Sequence, residues 1–338
     1  MSSATPFPQR LSGRVFTVHQ ARAEGVSAGR LRASDVRWIA RGLYAQGLDG
    51  PPGEAAVVAG LNLLYASTWA SHTTAARILG LYLPRRLAAD SDLHLSRHRR
   101  MPPLKIRGLI NHRVTAVVGD VGSLQTPPHA PPDSRVRVSS FERTWLDLAG
   151  RLDLTELVVM GDQLVRIPRP GLEGRSRPWA TRETLRAALR EHPGAPALTN
   201  ARAATEHVRV GSDSPSETRL RLSLMAAGLP EPELQVRLDP CHRHSPTADL
   251  GYRDSRIAIQ YDGYHHRSPR QLATDNRRDL AFTQAGWTYL KFDWQDAQHG
   301  FGRAIALVVA ALAGRVAWGQ VPSAQQLRTL RALTRRRR

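Results

Sequence analysis

Four side chains in the C-terminal half of the sequence have the types and order needed to hold a divalent cation: Glu217, Asp249, Gln260 and Asp262. Mg²⁺ takes oxygen ligands and keeps several waters, and Mn²⁺ suits the same donors. Held there, such an ion could polarise a phosphodiester and lower the pKa of an attacking water. Gln260 would bring an amide oxygen without charge. It lies two residues before Asp262 on a run that reads as a strand, so the two share a face. His265 and His266 follow, and His266 could move protons. Arg277 and Arg278 come next and could grip phosphate through their planar forks. Each residue alone has a plainer reading. Glu217 is a favourable charge at a helix start, Asp249 a turn residue, Asp262-Gly263 a common turn pair, and the histidines surface groups. Order and context together carry the metal reading.

The elements that must position these groups are legible around them. Ser216 can cap a helix from Glu217 to Ala227 that Gly228 ends, with Leu220, Leu222, Leu224 and Met225 on its buried side. Glu233 to Leu238 alternates as a strand, Ala248 to Tyr252 follows a polar loop, and Arg256 to Tyr261 reads as a buried strand. A helix from Pro269 to Ala285 carries Asp275, Arg277, Arg278 and Asp279, and Trp287 to Phe292 is a further strand. Helix, strands, helix, strand, helix is an α/β layout. Cys241-His242-Arg243-His244 has metal-ligand types, but no other cysteine exists to complete a structural zinc site, so it reads as a polar hairpin loop.

Near the N-terminus, Thr17 can cap a helix through Glu24 that Gly25 ends. Ser27 can cap a second helix from Ala28 to Ser34 bearing Arg30 and Arg32, and Trp38 to Ala45 has strand character with Arg41-Gly42 inside it. Helix, turn, Arg-bearing helix and strand is a layout that can enter a major groove; an ordinary helical hairpin with solvated arginines fits the pattern equally. Pro-rich stretches at Thr126–Pro132 and Pro168–Trp179, and a third break at His192–Asn200, divide the chain.

The balance of charge bears on the partner. Among 338 residues, 48 Lys plus Arg against 29 Asp plus Glu leave a net charge of +19, almost all of it from arginine. That excess implies a polyanion, nucleic acid above all, although a codon bias could favour Arg over Lys. The single cysteine excludes an intrachain disulfide framework and fits a reducing compartment. No apolar run reaches the roughly 18 residues of a membrane span, and Met1–Arg10 lacks a signal-type apolar core. The expectation is a cytoplasmic protein with no membrane partner.

Two resemblances sharpen these readings. Ser214-Pro215-Ser216-Glu217-Thr218-Arg219-Leu220-Arg221, Ala227-Gly228-Leu229-Pro230-Glu231-Pro232, Ala248-Asp249-Leu250-Gly251-Tyr252, Ile259-Gln260-Tyr261-Asp262-Gly263 with His266, Asp275-Asn276-Arg277-Arg278 and Ala285-Gly286-Trp287, in that order, resemble the very-short-patch-repair (Vsr)-like endonucleases. The resemblance implies the PD-(D/E)XK restriction-endonuclease-like fold and a Mg²⁺-dependent phosphodiesterase centre with Asp249 as central ligand. Such relatives carry Glu where this chain has Gln260, and Lys where it has Asp262. The loss of charge should weaken Mg²⁺ binding, which leaves open a slow centre, compensation by Asp262, or a fold that only binds DNA.

Earlier in the chain, Gln20-Ala21, Gly25-Val26-Ser27, Arg30-Leu31, Arg41-Gly42-Leu43-Tyr44, Ser71-His72-Thr73-Thr74-Ala75-Ala76-Arg77 and Arg143-Thr144-Trp145-Leu146-Asp147-Leu148-Ala149 resemble the AbiEi family of antitoxins from type IV toxin–antitoxin systems. That resemblance implies a DNA-binding winged helix and does not by itself imply a toxin partner.

The expected architecture is therefore an α/β, α+β multidomain chain. It comprises a winged helix-turn-helix at 10–85, a middle α+β region at 86–165, a linker and helical connector at 166–200, a restriction-endonuclease-like mixed sheet flanked by helices at 201–315, and a basic tail at 316–338. The expected function is DNA binding with a Mg²⁺-dependent endonuclease-like (hydrolase) centre at Glu217, Asp249, Gln260, Asp262 and His266, and nucleic-acid contacts from Arg30, Arg32, Arg41, Arg277 and Arg278. The alternative is a DNA-binding regulator of antitoxin type whose nuclease fold is degenerate.

Overall fold

A computed structural model describes residues 7–169, 173–242, 244–263 and 269–314, without the side chains of 269–274. His265 and His266, Arg243 and the basic tail lie outside the described residues. The chain is of mixed α+β class, with three sheets, and it divides into two compact units. One comprises Met1–Leu157 with Glu183–Ala203, the other Val158–Arg182 with Ala204–Arg338.

The first unit opens with β1 (Arg14–Thr17) and α1 (Val18–Ala23). Thr17 caps α1 by accepting from the Gln20 N–H, and Gln20 returns the favour to the Thr17 N–H in a capping box. After a 3₁₀ turn at Arg30–Arg32, the strands β2 (Val36–Ala40) and β3 (Leu43–Gln46) form an antiparallel hairpin. The turn between them falls at Arg41-Gly42, where Gly42 has φ of +80°. These strands make a three-stranded sheet in the order β1-β3-β2. The helix expected over Ala28–Ser34 is only that 3₁₀ turn. Ala33 is already extended, with ψ of 153°, and the chain enters β2 at Val36, which leaves no room for a second turn.

A five-stranded sheet follows. Its elements are α2 (Glu54–Leu64), β4 (Thr68–Ala70), α3 (His72–Ile78), α4 (Arg85–Ala88), β5 (Leu93–His98), β6 (Leu109–Val114), β7 (Val121–Leu124), β8 (Val136–Ser139) and α5 (Phe141–Asp147). The strand order is β6-β5-β4-β8-β7, with β5 parallel to β6 and β4 parallel to β8. Trp145 is fully buried, and its indole N–H donates to the Leu157 carbonyl. Beside it Arg143 bridges Asp120 and Asp147, and Asp120 also contacts His192. Burial raises Asp147 to about 6 against the pull of Arg143. The helix α6 (Leu154–Val165) ends this stretch, and α7 (Arg182–Glu191) and α8 (Leu198–His207) follow it.

The second unit is a sheet with helices on both faces. Its elements are α9 (Pro215–Ala226), β9 (Glu233–Arg237), β10 (Thr247–Tyr252), β11 (Ile257–Asp262), α10 (Pro269–Gln284), β12 (Thr288–Asp293), α11 (Trp294–Gln298) and α12 (Gly302–Ala313). The order is β12-β11-β10-β9: an antiparallel meander from β9 to β11, then β12 parallel to β11. The crossover between the parallel pair holds α10, as parallel strands require. On one face Leu220 and Leu224 of α9 and Ala304, Val308 and Leu312 of α12 pack with Leu250, Tyr252, Ile257, Ile259 and Phe292. On the other, Phe282 of α10 packs with Ala248, Ala258, Trp287 and Tyr289. Ser214, not Ser216, caps α9, because Pro215 sits at the first helical position and moves the cap one residue ahead of it. A Cβ at Gly251 would stand 2.4 Å from the Ile257 carbonyl oxygen, so the β10–β11 ladder admits only glycine there.

A buried charge network ties Val158–Arg182 into this unit. The Asp162 carboxylate accepts from Arg221 Nη2 and Thr218 Oγ1 at 2.8 Å each and from the Arg209 N–H at 2.7 Å. Arg221 has no exposed surface and also reaches Glu231. Burial raises the Asp162 pKa, while Arg221 and the three donors favour its charge.

Candidate metal centre

Asp249 is the pivot of the C-terminal site. It sits on β10 beside Leu250, whose pairing with Ile259 is the last of the β10–β11 ladder. Its Oδ2 accepts from the Tyr261 backbone N–H at 2.8 Å and from Gln260 Nε2 at 2.6 Å. Glu217 approaches from the first turn of α9, where its Oε2 accepts from the Asp213 N–H at 2.9 Å. Burial, then the charge of Asp249, raises the Glu217 pKa; burial raises that of Asp249, against the Tyr261 N–H, Arg278 and Gln260. Two carboxyls that resist ionising together are the signature of a place for a proton or a cation.

Gln260 is 6% exposed, and its Oε1 has no hydrogen-bond partner. A buried amide oxygen left unpaired costs free energy. With Glu217 and Asp249 it gives an oxygen donor set of the hardness that Mg²⁺ or Mn²⁺ takes, so these three residues fit such an ion. The Gln260 amide also offers its N–H to Asp249 and neutralises part of its charge. Asp262 shares the face of Gln260 by its spacing and stands in register with Asp293, which caps α11. The structure thus brings Glu217, Asp249 and Gln260 together and leaves Asp262 at the strand end beside them.

Of the expected phosphate contacts in this unit, Arg277 is exposed, whereas Arg278 bonds to Asp275 at 2.9 Å and to the Tyr289 hydroxyl at 3.2 Å. Sequence reasoning missed Lys291. It pairs with Gln260 across β11 and β12, shares that residue's face, and forms an ion pair with Asp279. A lysine in a chain that otherwise uses arginine was the available signal.

In the first unit Arg30 is bound to Asp35 at 2.6 and 2.7 Å and lies over the Phe7 ring. Arg32 and Arg41 are exposed and form no ion pair among the described residues. Arg41 is at the hairpin turn, and the neighbouring Trp38 is 60% exposed.

No family model matches the chain. An uncharacterized protein of Mycobacterium tuberculosis, strain CDC 1551, is 27% identical over 135 residues, which is 39% of this chain and 49% of that protein. The uncharacterized counterpart from strain H37Rv matches with the same figures, so the alignment spans about half the length of these curated relatives. Among the described residues, no helix is long and apolar enough to cross a membrane.

Proposed function

We propose that this chain is a DNA-binding protein whose C-terminal unit is a restriction-endonuclease-like, Vsr-type domain with a Mg²⁺-dependent phosphodiesterase centre. The observation that carries the reading is the convergence of Glu217, Asp249 and the unpaired Gln260 Oε1 at the parting of two central strands. Glu217, Asp249 and Gln260 would hold the ion. When bound, it would supply polarisation of the scissile phosphate and acidification of water.

The chain's own side chains do the rest. Exposed Arg277 engages a backbone phosphate as a planar fork, while Arg278, oriented by Asp275 and Tyr289, keeps positive charge beside Asp249. Lys291, on the strand next to Gln260, provides the ammonium charge that relatives place two residues after the strand glutamate. Without metal, Glu217 retains a proton that cation binding must displace, so affinity for the ion rises with pH.

In the first unit, α1, the 3₁₀ turn and the β2–β3 hairpin act as a winged-helix-like reader of AbiEi type. Arg32 and Arg41 meet DNA phosphates, and Arg30 is held by Asp35 as part of the frame. A second reading is favoured by one distance. Gln260 Nε2 donates to Asp249 at 2.6 Å, a pairing that also suits a regulator whose centre is degenerate.

The test is cleavage of single-stranded, duplex and mismatched DNA with Mg²⁺ or Mn²⁺ by the unaltered chain and Asp249→Ala. Metal-dependent cutting that the variant loses supports the enzyme. Binding without cutting by both proteins refutes it and leaves the regulator.

A further inference from the structure

The first unit brings together three histidines that are far apart in sequence. His94 and Ser96 alternate on β5, and β6 sets His112 in register with Ser96, so His94 and His112 share one face of the sheet. His72 comes to the same place from the start of α3, with φ of +50°. One ring nitrogen from each residue lies within 4.8 Å of the others. His94 Nδ1 faces His112 Nε2 at 2.8 Å, and the rings of His72 and His112 stack at 3.6 Å.

We propose that His72, His94 and His112 form a binding site for one transition-metal dication of the Zn²⁺ class, separate from the Glu217–Asp249 centre. The surroundings are those of a metal-ligating histidine. His94 Nε2 lies 3.1 Å from Asp90 Oδ2, a carboxylate that Arg151 Nη2 also holds, at 3.0 Å. A histidine that gives its outer N–H to a carboxylate keeps its other nitrogen as a lone pair and becomes a more basic ligand. With the N–H on Nε2, which also lies 3.1 Å from Arg151 Nη1, that nitrogen is Nδ1, the one facing His112. On the opposite side Ser71 Oγ contacts His72 Nδ1 at 3.0 Å and accepts from Ser96 Oγ at 2.7 Å, which orients the His72 ring and leaves Nε2 for the ion.

The packing suits a ligand set as well. All three rings are partly or fully buried among one another, and a metal takes each through a neutral nitrogen. Zn–N bonds of about 2.0–2.1 Å in a tetrahedral set would part His94 and His112 by a few tenths of an ångström. Three imidazoles saturate three positions and leave the fourth to water or an outside ligand. Nitrogen donors also distinguish this site from the oxygen set at Glu217, which prefers Mg²⁺ or Mn²⁺.

The experiment is calorimetric titration of Zn²⁺ into the chelator-stripped full chain, carried out in a Cys241→Ser, Asp249→Ala background to silence the exposed thiol and the carboxylate centre. One equivalent should bind. His112→Gln should weaken it at least about 100-fold, and Asp90→Asn by about 10–100-fold. Co²⁺ in place of Zn²⁺ should give visible bands of a tetrahedral nitrogen–oxygen set. No binding, or binding indifferent to His112→Gln, overturns the proposal. Should His112→Gln not fold, ¹⁵N-histidine spectra of the unaltered chain decide. Coordination shifts at three rings on adding Zn²⁺ support the site, and their absence overturns it.

Discussion

Replacing Gln260 by Glu adds the charge that the proposed Vsr-type centre would have there, and the surroundings of Gln260 predict opposite effects with and without metal. In the metal-free chain the substitution removes the N–H that Gln260 Nε2 gives Asp249 Oδ2 at 2.6 Å. It also adds a third carboxyl to a buried pair whose members already resist ionising together. A hydrogen bond to a charged group contributes about 1.5–3 kcal/mol, so a loss of about 2 kcal/mol is expected. At about 2–4 °C per kcal/mol for domains of this size, the midpoint should fall by about 4–8 °C in EDTA. Mg²⁺ at 100 times its Kd returns about 2.7 kcal/mol, which offsets the loss. Scanning calorimetry of both proteins, in EDTA and in millimolar Mg²⁺, should therefore show the variant below the unaltered chain in EDTA and level with it or above it in Mg²⁺. A variant as stable as the unaltered chain in EDTA, or one that Mg²⁺ stabilises no more, would refute the assignment of Gln260 to the centre.

Three further outcomes follow from the geometry. Arg32→Ala and Arg41→Ala should each weaken duplex DNA binding with little regard to sequence and reduce the slope of log K against log salt by about one, as read by anisotropy across a salt series; an unchanged slope excludes a phosphate contact. The depressed pKa of His72 makes the unfolded chain the better proton acceptor below about 6.5. Stability should therefore decline as pH falls through that value, by about 2 kcal/mol at pH 5 from this residue, and a His72→Gln chain should show a flatter acid limb in urea melts. Asp162→Asn strips Arg221, which has no exposed surface, of its main buried counter-charge and should cost about 3–5 kcal/mol in denaturant titration; a loss below about 1 kcal/mol would mean that Glu231 alone suffices.

How much of this was legible depended on whether the signal was local. The C-terminal strands and α10 stand within a residue or two of where alternation and apolar runs put them, because Ile257, Ile259 and Phe292 are buried by the sheet that their pattern announces. The start of α9 was misjudged by two residues: either serine can cap, and only the proline between them decides. The Ala28–Ser34 helix failed for want of length, since a short segment holding Gly29 cannot repay helix nucleation. Lys291 escaped notice because its relation to Gln260 exists only through the register of a parallel pair. The histidine cluster was hidden for the same reason. His72 lies in the Ser71–Arg77 segment, but nothing in the spacing of His94 and His112 says that β5 and β6 run parallel and in register.

The Asp162–Arg221 pair also bears on how the protein is made. The second unit is assembled from two stretches of chain, and Glu183–Ala203, which separates them, belongs to the first. As the chain leaves the ribosome, Asp162 emerges long before the guanidinium that will neutralise it, so this part of α6 cannot settle until α9 has been synthesised. A fragment cut to begin at Ala204 would inherit the sheet but not the acid that makes burial of Arg221 tolerable. Expression of the C-terminal half by itself should therefore start no later than Val158.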